Sequence, residues 1–115
     1  MKMREEVWIR LCDINDIPAR GAVRVELNDK QVAIFKTAND SVFVLDDACP
    51  HKGGPLSDGI VHDNCVTCPL HNWVISLETG EATGADSGKT TRYKVKIENT
   101  DVLVAIDPTL WLAQA

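Results

Sequence analysis

Two short stretches of this chain each offer one thiolate and one imidazole: Cys49-Pro50-His51 and Cys68-Pro69-Leu70-His71, with sixteen residues between His51 and Cys68. Each stretch supplies one sulfur and one nitrogen donor. That division suits two metal ions with different demands, an iron–sulfur pair in which one iron takes both cysteines and the other takes both histidines. A tetrahedral zinc site also accepts two Cys and two His. Zinc fingers, however, usually draw both cysteines from one hairpin and both histidines from one helix, so the mixed loops fit the iron pair better.

The remaining reactive side chains have plainer readings. Cys65-Val66-Thr67-Cys68 has the C-x-x-C spacing of a redox dithiol, but no helical pattern comes after it and Cys68 already belongs to the second loop. Cys65 is read as a strand thiol and Cys12 as a small core filler. His62 is read as a surface turn histidine. Trp73, two residues after His71, belongs to the core and would also shield the loop, keeping the dielectric low near a metal. Trp8 receives a core reading alone. Lys52 either biases the local field toward electron acceptance or is a solvated lysine.

These residues must be held by strands. Short alternating or β-branched runs recur at Val7 to Leu11, Ala22 to Leu27, Gln31 to Thr37, Ser41 to Leu45, Cys65 to Thr67, Trp73 to Leu77, Thr91 to Glu98 and Val102 to Ile106. The pattern predicts an all-β fold. Asn28-Asp29-Lys30, Ala38-Asn39-Asp40 and Asn99-Thr100-Asp101 have hairpin composition. Asp13 to Pro18 predicts a single helical turn with Asp13 as its N-cap. Between Ala48 and Gly59 the alternation stops and Pro50, Gly53, Gly54, Pro55 and Gly59 crowd together, which predicts a shaped loop. Thr83 to Lys89 reads as a surface loop.

A chain of 115 residues, 44% hydrophobic, can bury one modest core. One domain over residues 1–107 is expected, then a short apolar tail, 108–115, in which Trp111 either packs on its own domain or contacts another subunit. The net charge of -5 leaves no basic stripe for phosphates and excludes nucleic acid as a partner. No apolar run has signal-peptide length before Asp13, and none approaches the ~20 residues of a membrane span. A cytoplasmic protein with no membrane partner is expected, and in that compartment four cysteines read as thiols or metal ligands.

The two loops resemble those of Rieske 2Fe–2S proteins, and the resemblance extends from Trp8 through Ile106. It implies a β-structure of antiparallel strands with two cluster-binding loops at its tip. Cys49, His51, Cys68 and His71 map onto the family's cluster ligands, with the histidines at the exposed edge. The second loop, Cys68-Pro69-Leu70-His71-Asn72-Trp73 running into Leu77-Glu78-Thr79-Gly80, is similar to the small subunits of cytoplasmic NAD(P)H-dependent nitrite reductases, which convert nitrite to ammonium in nitrate assimilation. The ferredoxins of ring-hydroxylating dioxygenases are the alternative, and they more often carry glycine after the second histidine. A non-redox or structural subunit is a second alternative. Neither loop has the extra cysteine that high-potential respiratory Rieske proteins join in a disulfide, which implies a low-potential carrier. By analogy, a large catalytic subunit bearing flavin, sirohaem and a 4Fe–4S cluster is the expected partner. With Cys49 and Cys68 used, two cysteines remain, too few for that second cluster, and no G-x-G-x-x-G is present for a dinucleotide.

Overall fold

The structure is a computed structural model that describes residues 7–27, 30–48, 55–68, 72–83 and 88–106, with the backbone alone at Ile106. The strands are β1 (Val7–Asp13), β2 (Gly21–Leu27), β3 (Lys30–Lys36), β4 (Val42–Asp46), β5 (Ile60–His62), β6 (Cys65–Thr67), β7 (Val74–Ser76), β8 (Arg92–Tyr93), β9 (Val95–Glu98) and β10 (Asp101–Ile106). Among the described residues the only helical pieces are two 3-10 turns, Ile14–Asp16 and Leu56–Asp58. The fold is all-β, as the alternation predicts. The expected tail, 108–115 with Trp111, lies outside the described residues, as do Asn28, Asp29 and Lys52.

Among the described residues three antiparallel sheets form, in the orders β1-β10-β9, β2-β3-β4-β8 and β5-β6-β7. The four-stranded sheet is covered on both faces, which the two-residue period of β3 makes possible. Ala33 and Phe35 join Leu45, Leu56, Val61, Val66, Cys68, Ile75 and Leu77 in one core cluster. Val32 and Ile34 point the other way and join Val44, Val102, Val104, Leu27 and Ile17 in a second. The first cluster therefore cements the four-stranded sheet to β5-β6-β7, and the second cements it to β1-β10-β9.

The helical turn expected after Asp13 is present. Asp13 Oδ1 accepts from the Asn15 N–H at 2.8 Å and the Asp13 N–H donates to Asp16 Oδ2 at 3.3 Å, a reciprocal cap. Two expectations need correction. Thr91 to Glu98 reads as one strand, yet it divides: β8 pairs with β4 in the four-stranded sheet, and β9 pairs with β10 in the outer one. Ile60–His62 forms a strand, so His62 stands opposite Cys65 in a sheet and is not a turn histidine. Its ring Nε2 is hydrogen-bonded to Thr67 Oγ1 at 2.6 Å.

Candidate metal centre

The second loop grows out of a hairpin. Along β6, Val66 faces inward, Cys65 and Thr67 face away, and Cys68 returns to the inward side and is 1% exposed. Its backbone N–H donates to the Trp73 carbonyl at 2.7 Å, and its carbonyl accepts from the Asn72 N–H at 3.1 Å. Those two bonds close the neck of the loop between β6 and β7. Closure requires Asn72 to adopt φ 61°, a left-handed conformation that Asn and Gly tolerate better than other residues. Trp73 is half-buried and packs against the cluster that contains Cys68, as its core reading predicts.

The first loop is anchored at both ends by side chains. At its start Asp46 and Asp47 diverge. Asp46 Oδ1 accepts from the Tyr93 hydroxyl at 2.5 Å and Asp46 Oδ2 faces Lys30 Nζ at 3.5 Å. The Asp47 side chain, 1% exposed, accepts from the Ser57 N–H at 2.7 Å and from the Ser57 hydroxyl at 2.7 Å, and its Oδ2 forms an ion pair with Arg24 Nε at 2.8 Å. At its far end Leu56 is fully buried in the first core cluster, and the Asp58 and Gly59 amides donate back to the Pro55 and Leu56 carbonyls. A Cβ on Gly59 would lie 2.3 Å from the Thr67 carbonyl oxygen, so only glycine lets this end of the loop lie against β6. Sequence reasoning misses all of these anchors. The acidic pair Asp46-Asp47 just ahead of Cys49 is the one visible signal, and nothing in it points to Arg24.

Of the four predicted ligands, Cys68 is described, whereas Cys49, His51 and His71 lie outside the described residues. The other described thiols have the character of structural residues. Burial pushes the Cys65 thiol above its ordinary pKa, with Asp63 and Glu78 adding to the effect. Burial likewise raises Cys12, reinforced mainly by Asp16, and Cys12 packs against the second core cluster as expected. Both favour the neutral thiol over the thiolate that a metal needs. Cys65 and Cys68 are both free and lie on opposite sides of β6, so the dithiol reading fails. Trp8 departs from its core reading. It is half-buried on β1, with Lys96 Nζ 4.5 Å from its ring centroid.

The fold agrees with the comparisons to known proteins. Residues 7–105 match the Rieske-like 2Fe–2S domain, and the chain belongs to that family. Its cofactor is a Rieske-type 2Fe–2S cluster, and its role is electron transfer within oxidoreductase systems. A buried sulfur at a closed loop neck within an apolar shell fits such a cluster, whose thiolate iron sits in a low-dielectric surrounding.

Over 101 residues the chain is 31% identical to the ferredoxin component of the naphthalene 1,2-dioxygenase/salicylate 5-hydroxylase systems of Ralstonia sp, covering 87% of this chain and 96% of that protein. It is 28% identical over 76 residues to cholesterol 7-desaturase of Caenorhabditis elegans, where the match covers 64% of this chain and only 18% of the desaturase. Among solved structures, a Mycobacterium tuberculosis protein described as an NADH-dependent nitrite reductase small subunit superposes with a TM-score of 0.80 at 25% identity, covering 89% of this chain and 96% of that one. No helix among the described residues is long and apolar enough to cross a membrane.

Proposed function

We propose that Cys49, His51, Cys68 and His71 hold the cluster and that the chain, with residues 1–107 as its single domain, is the electron-transfer small subunit of a cytoplasmic NAD(P)H nitrite reductase. The observation that carries this reading is the second loop together with the turn beyond β7. Cys68 to Trp73 is closed at its neck, and in the Leu77-Glu78-Thr79-Gly80 turn Gly80 adopts φ 80° while its N–H donates to the Ser76 carbonyl at 2.7 Å. Likeness to a nitrite reductase small subunit over nearly the whole chain supports it.

When bound, the cluster accepts and passes on one electron at a time. The chain's own residues bind it, orient it and keep water from its sulfur side. Leu56, Val66, Ile75 and Leu77 share the apolar core cluster of Cys68, and Trp73 packs against that cluster. Reduction of nitrite to ammonium takes place in a large subunit carrying flavin, sirohaem and a 4Fe–4S cluster.

Identity of 31% to a dioxygenase ferredoxin component favours a second reading, a diffusing carrier that feeds a ring-hydroxylating oxygenase. Asn72 separates the two readings less sharply than its identity implies, because Asn and Gly both satisfy the left-handed backbone found there. Reconstitution decides between them. NAD(P)H-dependent ammonium formation by the large subunit should fall when the chain is omitted and recover weakly with Cys68→Ser. Full recovery with Cys68→Ser would make the subunit structural. Absence of any complex, with efficient electron delivery to a dioxygenase, would establish the ferredoxin reading.

A further inference from the structure

We propose that Arg24, Asp47 and Ser57 form a clamp that shuts the stem of the first ligand loop before the cluster arrives, and that they are positioning residues for it. The inference rests on the assignment of Cys49 and His51 as ligands. Asp47 and Ser57 flank the loop, and two bonds join them directly, one to the Ser57 amide and one to its hydroxyl, both 2.7 Å. Arg24, reaching across from β2, locks the pair: Nε lies 2.8 Å from Asp47 Oδ2, and Nε and Nη2 donate to Ser57 Oγ at 3.1 and 3.0 Å. Arg24 Nη2 also lies 3.5 Å from Asp58 Oδ1, one residue further on.

Burial separates this triad from an ordinary surface ion pair. With its side chain 1% exposed, Asp47 has both oxygens occupied and little access to water, so opening the stem would strand a buried charge. Its neighbour is fixed as well. Asp46 is held on the other face of β4 by Tyr93 and Lys30, and its amide donates to the Thr91 carbonyl at 2.9 Å. Leu56, fully buried beside Ser57, holds the far end. The entropy of closing the loop is thus met by protein contacts alone, and metal binding does not have to supply it.

The charges also give the clamp an electrical signature. Arg24→Gln leaves the Asp47 carboxylate uncompensated near the cluster, which opposes addition of an electron, so the reduction potential should fall. Asp47→Asn leaves the Arg24 cation uncompensated, so the potential should rise. A charge pair remote from the cluster would shift neither potential.

The test uses the full chain as Arg24→Gln, Asp47→Asn and Ser57→Ala, with Tyr93→Phe as a control that weakens the same strand end from the opposite face. Bleaching of the holoprotein by an iron chelator should accelerate on the order of tenfold in the three clamp variants and stay near the wild-type rate in Tyr93→Phe. In the metal-free protein, tryptic cleavage after Lys52 should accelerate in the same three. Ser57→Ala keeps the ion pair and guards against loss of folding in the charge variants. Wild-type bleaching and Lys52 cleavage in folded Ser57→Ala and Arg24→Gln would overturn the clamp, as would potentials moving in the same direction in Arg24→Gln and Asp47→Asn. If Cys49→Ser retained its colour, the ligand assignment would fail instead, while the cleavage experiment on metal-free protein would still report on the stem.

Discussion

Cys68 and Trp73 are joined across the neck of the second loop by a 2.7 Å bond from the amide of one to the carbonyl of the other. The backbones of Cys68, the proposed sulfur donor, and of Trp73, which packs against the same core cluster, are therefore tied together independently of any metal. Replacing Cys68 with Ser should abolish colour and iron content, whereas Cys65→Ser and Cys12→Ser should retain both. Iron analysis and electron paramagnetic resonance check this, and equal loss of iron in Cys65→Ser and Cys68→Ser would sink the ligand assignment.

Asn72 pays for the same neck with its left-handed backbone at φ 61°. Asn72→Gly should fold and hold its cluster nearly as well as the parent. Asn72→Val should cost about 1–3 kcal/mol of stability because a β-branched side chain is strained there. Thermal unfolding of the two variants side by side tests the contrast.

Gly59 approaches β6 so closely that an added Cβ would meet the Thr67 carbonyl at 2.3 Å and Val66 Cγ2 at 2.9 Å. The first of these is backbone and cannot rotate away. Gly59→Ala should therefore destabilise by roughly 1–3 kcal/mol and loosen the packing of this turn against β6. Chemical denaturation of the metal-free protein should show the loss; an unchanged midpoint would contradict the packing described.

Tyr93 gives the fold a dependence on alkaline pH. Burial, then the hydrogen bond to Asp46 and its charge, raise the phenol pKa well above its ordinary value. The folded pKa exceeds the unfolded one of about 10, so the stabilisation is fully present below that pH and declines as pH rises toward the folded value. Unfolding midpoints measured across pH 8 to pH 12 (on the order of four units spanning that pKa) should fall at the alkaline end, and Tyr93→Phe should flatten the fall.

Much of this architecture is legible along the chain, and the exceptions share a cause. The Gln31 to Thr37 run reads as a strand from its composition, and the structure adds that both of its faces are buried, one in each core cluster. The division of Thr91 to Glu98 is hidden because Tyr93 and Val95 keep the same alternation and contribute to the same core cluster while their hydrogen-bond partners change sheets. Ile60–His62 is too short to show a period. Cys68 is visible as a ligand candidate from spacing alone. The Arg24, Asp47 and Ser57 triad is not, because it links residues far apart in sequence and no local pattern encodes such a meeting.

The pairing of β1 with β10 sets Val7 opposite Ile106, so residues 7 and 106 lie side by side at one end of the outer sheet. Adjacent entry and exit points make a domain easy to splice into a host chain, since the host's path is interrupted by only a few ångströms. In the Caenorhabditis elegans desaturase the stretch similar to this chain is likewise a small part, 18%, of a much longer protein. Grafting residues 7–106 into an exposed loop of an unrelated host should give a coloured, folded chimera, and a permuted chain with β10 tied directly to β1 should fold as well.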